Sequence, residues 1–279
     1  MGAMKTPPPY TIIHEDDELV VVNKASGIAV LADRWDDSRE RLDELLNSDY
    51  AADIKAGKPP RIPFPHRVFV IHRIDRDTSG LVAFAKTAAC HARLSRAFES
   101  RSVHKSYLAV IRGRPAWQEE RCELPLRPDG DREHRTIIDK GRGKASSTTF
   151  RVIGSVEGIT LLEASPESGR THQIRVHLAA MGFPIACDPL YGNTKGIKLS
   201  EFKRSWRGDL FDERPLLERL GLHAWKLSIP AGDDLSNGTT NATKSFIAEP
   251  PKDLTALLKQ MEKVSKDPFE YERAEQESI

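Results

Sequence analysis

Short apolar runs separated by polar turns predict a chain rich in β-strands. Residues 10–13 and 19–22 flank an acidic turn, which is typical of a strand–turn–strand unit. A third run at residues 81–85 follows a charged turn, and alternation over residues 105–111 places Tyr107 on the same face as apolar side chains. Further strand patterns occupy residues 148–153, 159–164 and 222–229.

Apolar residues at helical spacing predict four helices between and after these strands. The first is expected to begin with a capping box formed by Asp37 and Glu40. Thr87 and Thr171 are placed to cap the second and third helices, and the fourth covers about residues 253–263. No internal repeat interrupts this order of elements.

Composition narrows the class of protein. The 279 residues are 39% apolar and 30% charged, with no run near the ~20 apolar residues of a membrane span. Three cysteines without motif spacing predict reduced thiols and a cytoplasmic location. Residues 101–151 carry twelve Lys and Arg against seven Asp and Glu, whereas residues 267–279 carry five acids and one arginine. This distribution fits an RNA-binding face, and it also fits an ordinary solvated surface.

The most unusual stretch is the charged turn at residues 72–80, directly before a buried strand. Asp75 lies between Arg73 and Arg76, so its ionised form should be favoured. An ionised carboxylate at the mouth of a strand is a candidate nucleophile or base. The alternative is a surface turn whose charges form local ion pairs.

Three motifs resemble those of one enzyme family. His-Arg-Ile-Asp-Arg-Asp-Thr-Ser-Gly at residues 72–80 resembles the catalytic motif of the RluA-type pseudouridine synthases, in which the aspartate is essential. Lys-Ser-Tyr at residues 105–107 resembles the family's tyrosine motif, and Gly-Arg-Thr-His-Gln-Ile-Arg-Val-His-Leu at residues 169–178 resembles its later motif. The motifs occur in the family's order, and the resemblance covers residues 10–254.

The resemblance implies an α+β fold, with a mostly antiparallel central sheet, flanking helices and a central cleft. One catalytic domain is expected at residues 10–266, after an extended lead-in at residues 1–9 that is too short for the accessory RNA-binding domain of many family members. Residues 267–279 are expected to form a disordered acidic tail. We also expect a monomer.

The activity implied is isomerisation of uridine to pseudouridine in a stem-loop of transfer or ribosomal RNA. This reaction requires neither a cofactor nor a metal, and the sequence contains no dinucleotide-binding fingerprint or P-loop. His172 and His177 diverge on a helix because they are five residues apart, so no metal site is expected. No membrane partner is expected either.

The resemblance also implies roles for individual residues. Asp75 is the catalytic residue, acting on C1′ or on a ribose proton, and Arg175 is expected to form an ion pair with it. Arg73 fills the gap left when the uridine leaves the base stack, and Tyr107 lies against the uracil and accepts the C5 proton. Without the resemblance, Tyr107 would be interpreted as a core residue. Ile74 and Leu178 are expected as apolar walls of the uracil pocket. RNA-backbone contacts are expected from His72, Lys105, Lys144 and Arg170.

Two other functions compete with this interpretation. A non-catalytic RNA-binding protein could keep the fold, although the intact Asp75, Tyr107 and Arg175 argue against loss of turnover. An aspartate-dependent hydrolase of nucleosides or phosphate esters would need a water-activating base or metal ligands, which no spacing in the sequence supplies.

Overall fold

Strands outnumber helices in the part of the chain that the structure describes. A computed structural model describes residues 7–32, 40–63, 66–231, 243–265 and 268–273. The described helices are α1 (Leu42–Lys55), α2 (Ala88–Glu99), α3 (Gln173–Ala180) and α4 (Lys252–Ser265), with a 3₁₀ helix at Leu199–Glu201. The described strands are β1 (Tyr10–Glu15), β2 (Leu19–Lys24), β3 (Phe69–Val70), β4 (Ser79–Ala85), β5 (His104–Arg112), β6 (Glu119–Cys122), β7 (Leu126–Arg127), β8 (Ile137–Ile138), β9 (Thr148–Val156), β10 (Ile159–Pro166), β11 (Leu222–Pro230) and β12 (Thr243–Ile247).

These elements confirm the α+β fold with mostly antiparallel strands. The contacts divide the chain into two compact units, and the single domain expected over residues 10–266 stays a prediction. Unit one contains Met1–His104 and Lys226–Ala248, and unit two contains Lys105–Trp225 and Glu249–Ile279. The central cleft stays a prediction.

Unit one is built on β4, whose seven residues are all buried. Strands β1, β2 and β4 are neighbours in antiparallel order, and β3 also pairs with β4. The apolar face of α2 contributes Cys90, Leu94 and Ala97 to a core shared with Leu81 and Ala83 of β4. Burying this face ties the strand that follows the charged turn to a helix.

Unit two places β5, β10, β9 and β6 side by side in antiparallel order. Helices α3 and α4 pack on this group, and α4 buries Leu254, Leu257, Leu258 and Met261. The register of β9 and β10 shifts between Leu161 and Leu162, which marks a bulge.

Two contacts involve the described residues near the end of the chain. Within residues 268–273, Phe269 is only 4% exposed, and its ring lies over Gly154 of β9. The indole Nε1 of Trp225 donates a hydrogen bond of 2.8 Å to the carbonyl of Glu272. The disorder expected for residues 267–279 stays a prediction. Residues 266–267 and 274–279 lie outside the described ranges.

The helix starts test the capping predictions. The backbone N–H of Cys90 donates to the hydroxyl of Thr87 over 3.1 Å, which confirms the predicted cap of α2. The prediction for Thr171 is wrong, because α3 begins at Gln173 after His172, which makes no side-chain cap. The capping box at Asp37 involves residues outside the described ranges. No helix in the described part of the chain is long and apolar enough to cross a membrane.

Candidate active site

The charged turn of unit one presents Asp75 immediately before β4. The N–H of Thr78 donates to the carbonyl of Asp75 over 3.2 Å, so the chain reverses across these four residues. Asp75 is half-buried, Arg73 is exposed and Ile74 is buried. The turn therefore combines a partly sheltered carboxylate with a cation that reaches solvent.

A buried lysine holds the backbone of this turn. Lys24, at the end of β2, is 0% exposed. Its ammonium group donates three hydrogen bonds of 2.7–2.8 Å, to the carbonyls of Ala25, Ile28 and Arg76. A buried ammonium with three good acceptors avoids most of the penalty for losing water. The acceptor on Arg76 directly follows Asp75, so Lys24 fixes the position of the catalytic candidate.

Two further hydrogen bonds reinforce the same contact. The N–H of Gly27 donates to the carbonyl of Arg76 over 2.9 Å, and the hydroxyl of Ser26 donates to the carbonyl of Asp77 over 2.7 Å. The side chain of Arg76 binds the carboxylate of Asp77, with Nε 3.0 Å from Oδ1. The segment after β2 thus binds the turn mainly through the backbone carbonyls of the turn.

His72 has a structural contact at the start of the turn. The N–H of Ala83 in β4 donates to Nε2 of His72 over 3.0 Å, and the imidazole stacks on Phe98. Because Nε2 accepts this hydrogen bond, the imidazole that makes it is neutral. The expected contact of His72 with an RNA phosphate stays a prediction.

Tyr107 belongs to unit two and lies in β5. It is half-buried and packs against a core cluster that includes Ile174 and Leu178 of α3. Leu178 is 0% exposed, so it forms part of this core rather than an open surface. The core interpretation of Tyr107 and its expected role beside a base are compatible, because the ring is only partly covered.

Arg175 of α3 has a partner that the sequence analysis missed. Its Nε and Nη2 each donate a hydrogen bond of 2.8 Å to the carboxylate of Asp188. Burial alone would raise the pKa of Asp188, but Arg175 and the backbone N–H groups of Leu190 and Tyr191 lower that pKa below its usual value. Asp188 follows α3 in an irregular segment, where no periodic pattern marks it. The expected ion pair between Arg175 and Asp75 stays a prediction.

Polar side chains at both ends of α3 fix the helix in place. The side-chain oxygen of Gln173 accepts hydrogen bonds from the hydroxyl of Ser168 and the N–H of Arg170. The side-chain nitrogen of Gln173 donates to Thr148, which also contacts His177 one turn further along. Gln173 thus ties the start of α3 to the loop before it and to β9.

The remaining candidates for RNA contacts differ in exposure. Lys144 is exposed, whereas Arg170 is half-buried and its Nε has no hydrogen-bond partner among the described residues. Lys105 donates to the carbonyl of Ser168 over 3.2 Å. Burial lowers the pKa of Lys105 to about 8, because desolvation disfavours the charged ammonium group. Lys105 is thus less open to solvent than a lysine that only contacts phosphates at the surface.

The structure thus distributes the predicted residues over both units. Unit one carries Arg73, Ile74 and Asp75, and unit two carries Tyr107, Arg175 and Leu178. Among the described residues, no group of three or more His, Cys, Asp or Glu side chains is arranged to hold a metal ion.

The fold and the motif positions agree with the comparisons to known families. Residues 18–180 match the model of the RNA pseudouridylate synthase family, and this stretch includes Asp75, Tyr107 and Arg175. The chain belongs to that family.

Two bacterial relatives illustrate the similarity. The chain is 37% identical over 188 residues to the ribosomal large subunit pseudouridine synthase D of Zymomonas mobilis, covering 67% of this chain and 57% of that protein. It is 35% identical over 216 residues to the ribosomal large subunit pseudouridine synthase C of Vibrio cholerae, covering 77% of this chain and 59% of that protein. The chain therefore spans less than two thirds of the length of these relatives.

Solved structures share the fold. The human RNA pseudouridylate synthase domain containing 4 protein superposes with a TM-score of 0.65 at 21% identity, covering 90% of this chain and 92% of that one. The human domain containing 1 protein gives a TM-score of 0.60 at 24% identity, covering 89% and 87%. These similarities support the assigned fold.

Proposed function

We propose that this chain isomerises uridine to pseudouridine in RNA and that Asp75 is its catalytic residue. The observation that carries the proposal is the family match over residues 18–180, within which Asp75, Tyr107 and Arg175 are all present. The hydrogen bonds that fix the Asp75 turn support it, because a catalytic carboxylate must be held in one geometry.

The proposed reaction rearranges one bond. The bond from ribose C1′ to uracil N1 breaks, the base turns, C1′ bonds to C5, and the C5 proton leaves to a base while N1 gains a proton. No electrons are exchanged and no group is lost. Whether Asp75 attacks C1′ or removes a ribose proton, it must begin as a carboxylate.

Two residues of unit one have proposed roles. The target nucleotide must leave the base stack before a side chain can reach its sugar. Asp75 then acts at the ribose, and the exposed side chain of Arg73 occupies the space that the base has left. Ile74 is proposed as an apolar wall, although its burial leaves it little free surface.

Three residues of unit two complete the proposal. Tyr107 lies against the uracil and accepts the C5 proton, which its partial exposure allows. Arg175 is the proposed ion-pair partner of Asp75, in addition to the Asp188 carboxylate that it binds. Leu178 is proposed as an apolar wall of the uracil pocket, and it packs in the same core cluster as Tyr107. The residues proposed to contact the RNA backbone are His72, Lys105, Lys144 and Arg170.

The substrate class follows from the relatives. Their names assign them to the large ribosomal subunit, so we propose ribosomal RNA of that subunit as the substrate, with transfer RNA as the competing class. RNA stem-loops expose the unstacked bases that proteins read. A monomer acting in the cytoplasm is part of the same proposal.

The test is tritium release from RNA labelled at C5 of uridine. Transcripts of large-subunit ribosomal RNA and of transfer RNA are incubated with wild type, Asp75→Asn and Asp77→Asn. The last variant is a matched control, because it changes the other carboxylate of the same turn without altering the backbone contacts of the turn.

Wild type and Asp77→Asn are expected to release tritium, and Asp75→Asn is expected to release none while still binding RNA in a filter assay. The responding transcript identifies the substrate class. RNA binding without release by wild type would favour a non-catalytic RNA-binding protein. Retained release by Asp75→Asn would assign the chemistry to another residue.

A further inference from the structure

A buried segment that follows α3 encloses the side chain of Arg175. Arg175 is 2% exposed and Asp188 is 0% exposed. Their bidentate contact uses two of the three guanidinium nitrogens and fixes the plane of the guanidinium group.

Asp188 is itself held by the backbone. Its Oδ1 accepts the N–H of Leu190 over 2.9 Å and the N–H of Tyr191 over 3.2 Å. The carboxylate therefore cannot rotate away from Arg175 without losing several hydrogen bonds.

Tyr191 covers a second side of the guanidinium group. The centre of its ring lies 5.2 Å from Cζ of Arg175, within the range of a cation–π contact. Its hydroxyl accepts the N–H of Thr136 over 3.0 Å and lies 2.9 Å from Nδ1 of His172.

His172 connects this segment to the start of α3. It precedes the helix with φ 53° and ψ 21°, a left-handed conformation that is uncommon for residues other than glycine. Such a conformation persists where the surrounding contacts hold it, and the Tyr191 hydroxyl provides one of them. Tyr191 therefore contacts both Arg175 and His172, the residue immediately before α3.

We propose that Asp188 and Tyr191 are positioning residues that set the orientation of Arg175 for the isomerisation. Both lie beyond residue 180, where the match to the family model ends. The inference rests on the proposed function, because it assigns a catalytic purpose to the orientation of Arg175.

A purely structural role would give different kinetics. Loss of orientation should lower kcat while leaving KM and RNA binding unchanged, since Asp188 and Tyr191 are held inside unit two. A structural role would lower the amount of folded protein, with normal kcat per folded molecule.

The experiment measures tritium release by Asp188→Asn, Asp188→Glu and Tyr191→Phe, with folded fraction measured by circular dichroism. We expect Asp188→Asn to lower kcat about 10- to 100-fold, because small misplacements of catalytic groups have effects of this size. Tyr191→Phe keeps the ring and loses the hydroxyl, so a several-fold loss is expected. Asp188→Glu should recover part of the activity.

A matched control is available in the same unit. Arg219 and Asp253 form another bidentate pair, with distances of 2.7 and 2.9 Å. Asp253→Asn removes the same kind of contact from α4, so it should leave kcat unchanged.

A double-mutant cycle with Arg175→Lys tests whether Asp188 acts through Arg175. In the Arg175→Lys background, Asp188→Asn should cause little further loss of kcat. The inference would be overturned if the fold-losses of kcat in the two single variants multiplied in the double variant. A normal kcat in folded Asp188→Asn would also overturn it.

If Asp188→Asn does not fold, the test is the kcat of Tyr191→Phe. A wild-type kcat in that variant would overturn the inference. Absence of release by wild type would instead count against the proposed function.

Discussion

The hydroxyl of Thr148 lies 3.0 Å from Nδ1 of His177, and both side chains are fully buried. Nε2 of His177 donates to the carbonyl of Leu124 over 3.0 Å, so Nδ1 accepts the hydroxyl hydrogen of Thr148 in the neutral imidazole. Burial lowers the pKa of His177, since desolvation disfavours the imidazolium. The neutral imidazole is thus part of the folded state.

Acid should therefore weaken the fold through His177. In the unfolded chain the imidazole takes up a proton below its ordinary pKa of 6.5, whereas in the folded chain it resists protonation. The stabilisation is complete above pH 6.5 and decreases as the pH falls through the lowered pKa. Urea unfolding between pH 7.5 and 5 should show a steeper loss for wild type than for His177→Gln.

Parallel curves for wild type and His177→Gln would contradict the assignment of this pH dependence to His177.

Replacing Lys24 with methionine should affect both stability and turnover. The variant Lys24→Met removes the ammonium donor from the carbonyls of Ala25, Ile28 and Arg76, of which Arg76 keeps a second donor, the N–H of Gly27. The free energy of unfolding should fall by about 2 kcal/mol. The substitution also releases the turn that carries Asp75, so kcat for tritium release should fall at temperatures where the variant is folded.

Lys86 is a matched control for Lys24, because it is also buried in unit one and binds Glu15 and the carbonyl of Asp16. Lys86→Met should lose stability but keep its kcat. Equal kcat in both variants would mean that Lys24 contributes to stability alone.

The contact between Phe269 and Gly154 can be measured by a double-mutant cycle. Phe269→Ala should lower the free energy of unfolding by about 3 kcal/mol, because it empties a filled apolar site. A Cβ atom at position 154 would lie 2.2 Å from the ring of Phe269, so Gly154→Ala should displace the ring. In the Phe269→Ala background, Gly154→Ala should be far less damaging, and additive effects would contradict the contact.

Lys105 should titrate well below the ordinary lysine. NMR of ¹³C-labelled lysine ε-carbons should show one resonance with a midpoint near pH 8, absent in Lys105→Arg. The unfolded lysine keeps its ordinary pKa of 10.5, so the unfolded state binds more protons between pH 8 and 10.5. Stability from this group therefore rises with pH across that window. A midpoint above pH 10 would show that water reaches the ammonium group.

Local patterns predicted the elements that local interactions determine. The acidic turn between two apolar runs was sufficient to predict β1 and β2. The side chain of Thr87 caps α2 as its position in the sequence predicts. Helix α4 was expected at residues 253–263 and forms at Lys252–Ser265, because its apolar face follows the helical period.

Features that depend on distant partners were missed. The pairing of Asp188 with Arg175 joins a helix to an irregular segment, and no spacing rule links them. Thr171 failed as a cap because the chain turns into a left-handed conformation at His172, so α3 begins one residue later than the hydroxyl would require. The motif resemblance identified the catalytic candidates. It did not predict that Lys24 binds the turn of Asp75 or that Asp188 binds Arg175.

The Arg175–Asp188 pair has a consequence for how ionic strength should act on this protein. A buried guanidinium matched by a buried carboxylate carries no net charge, so it displaces no counterions from a polyanion. If the chain acts on RNA as proposed, the long-range attraction of RNA comes from exposed cations such as Arg73 and Lys144. Added salt should therefore reduce how much RNA is captured while leaving the turnover of captured RNA unchanged.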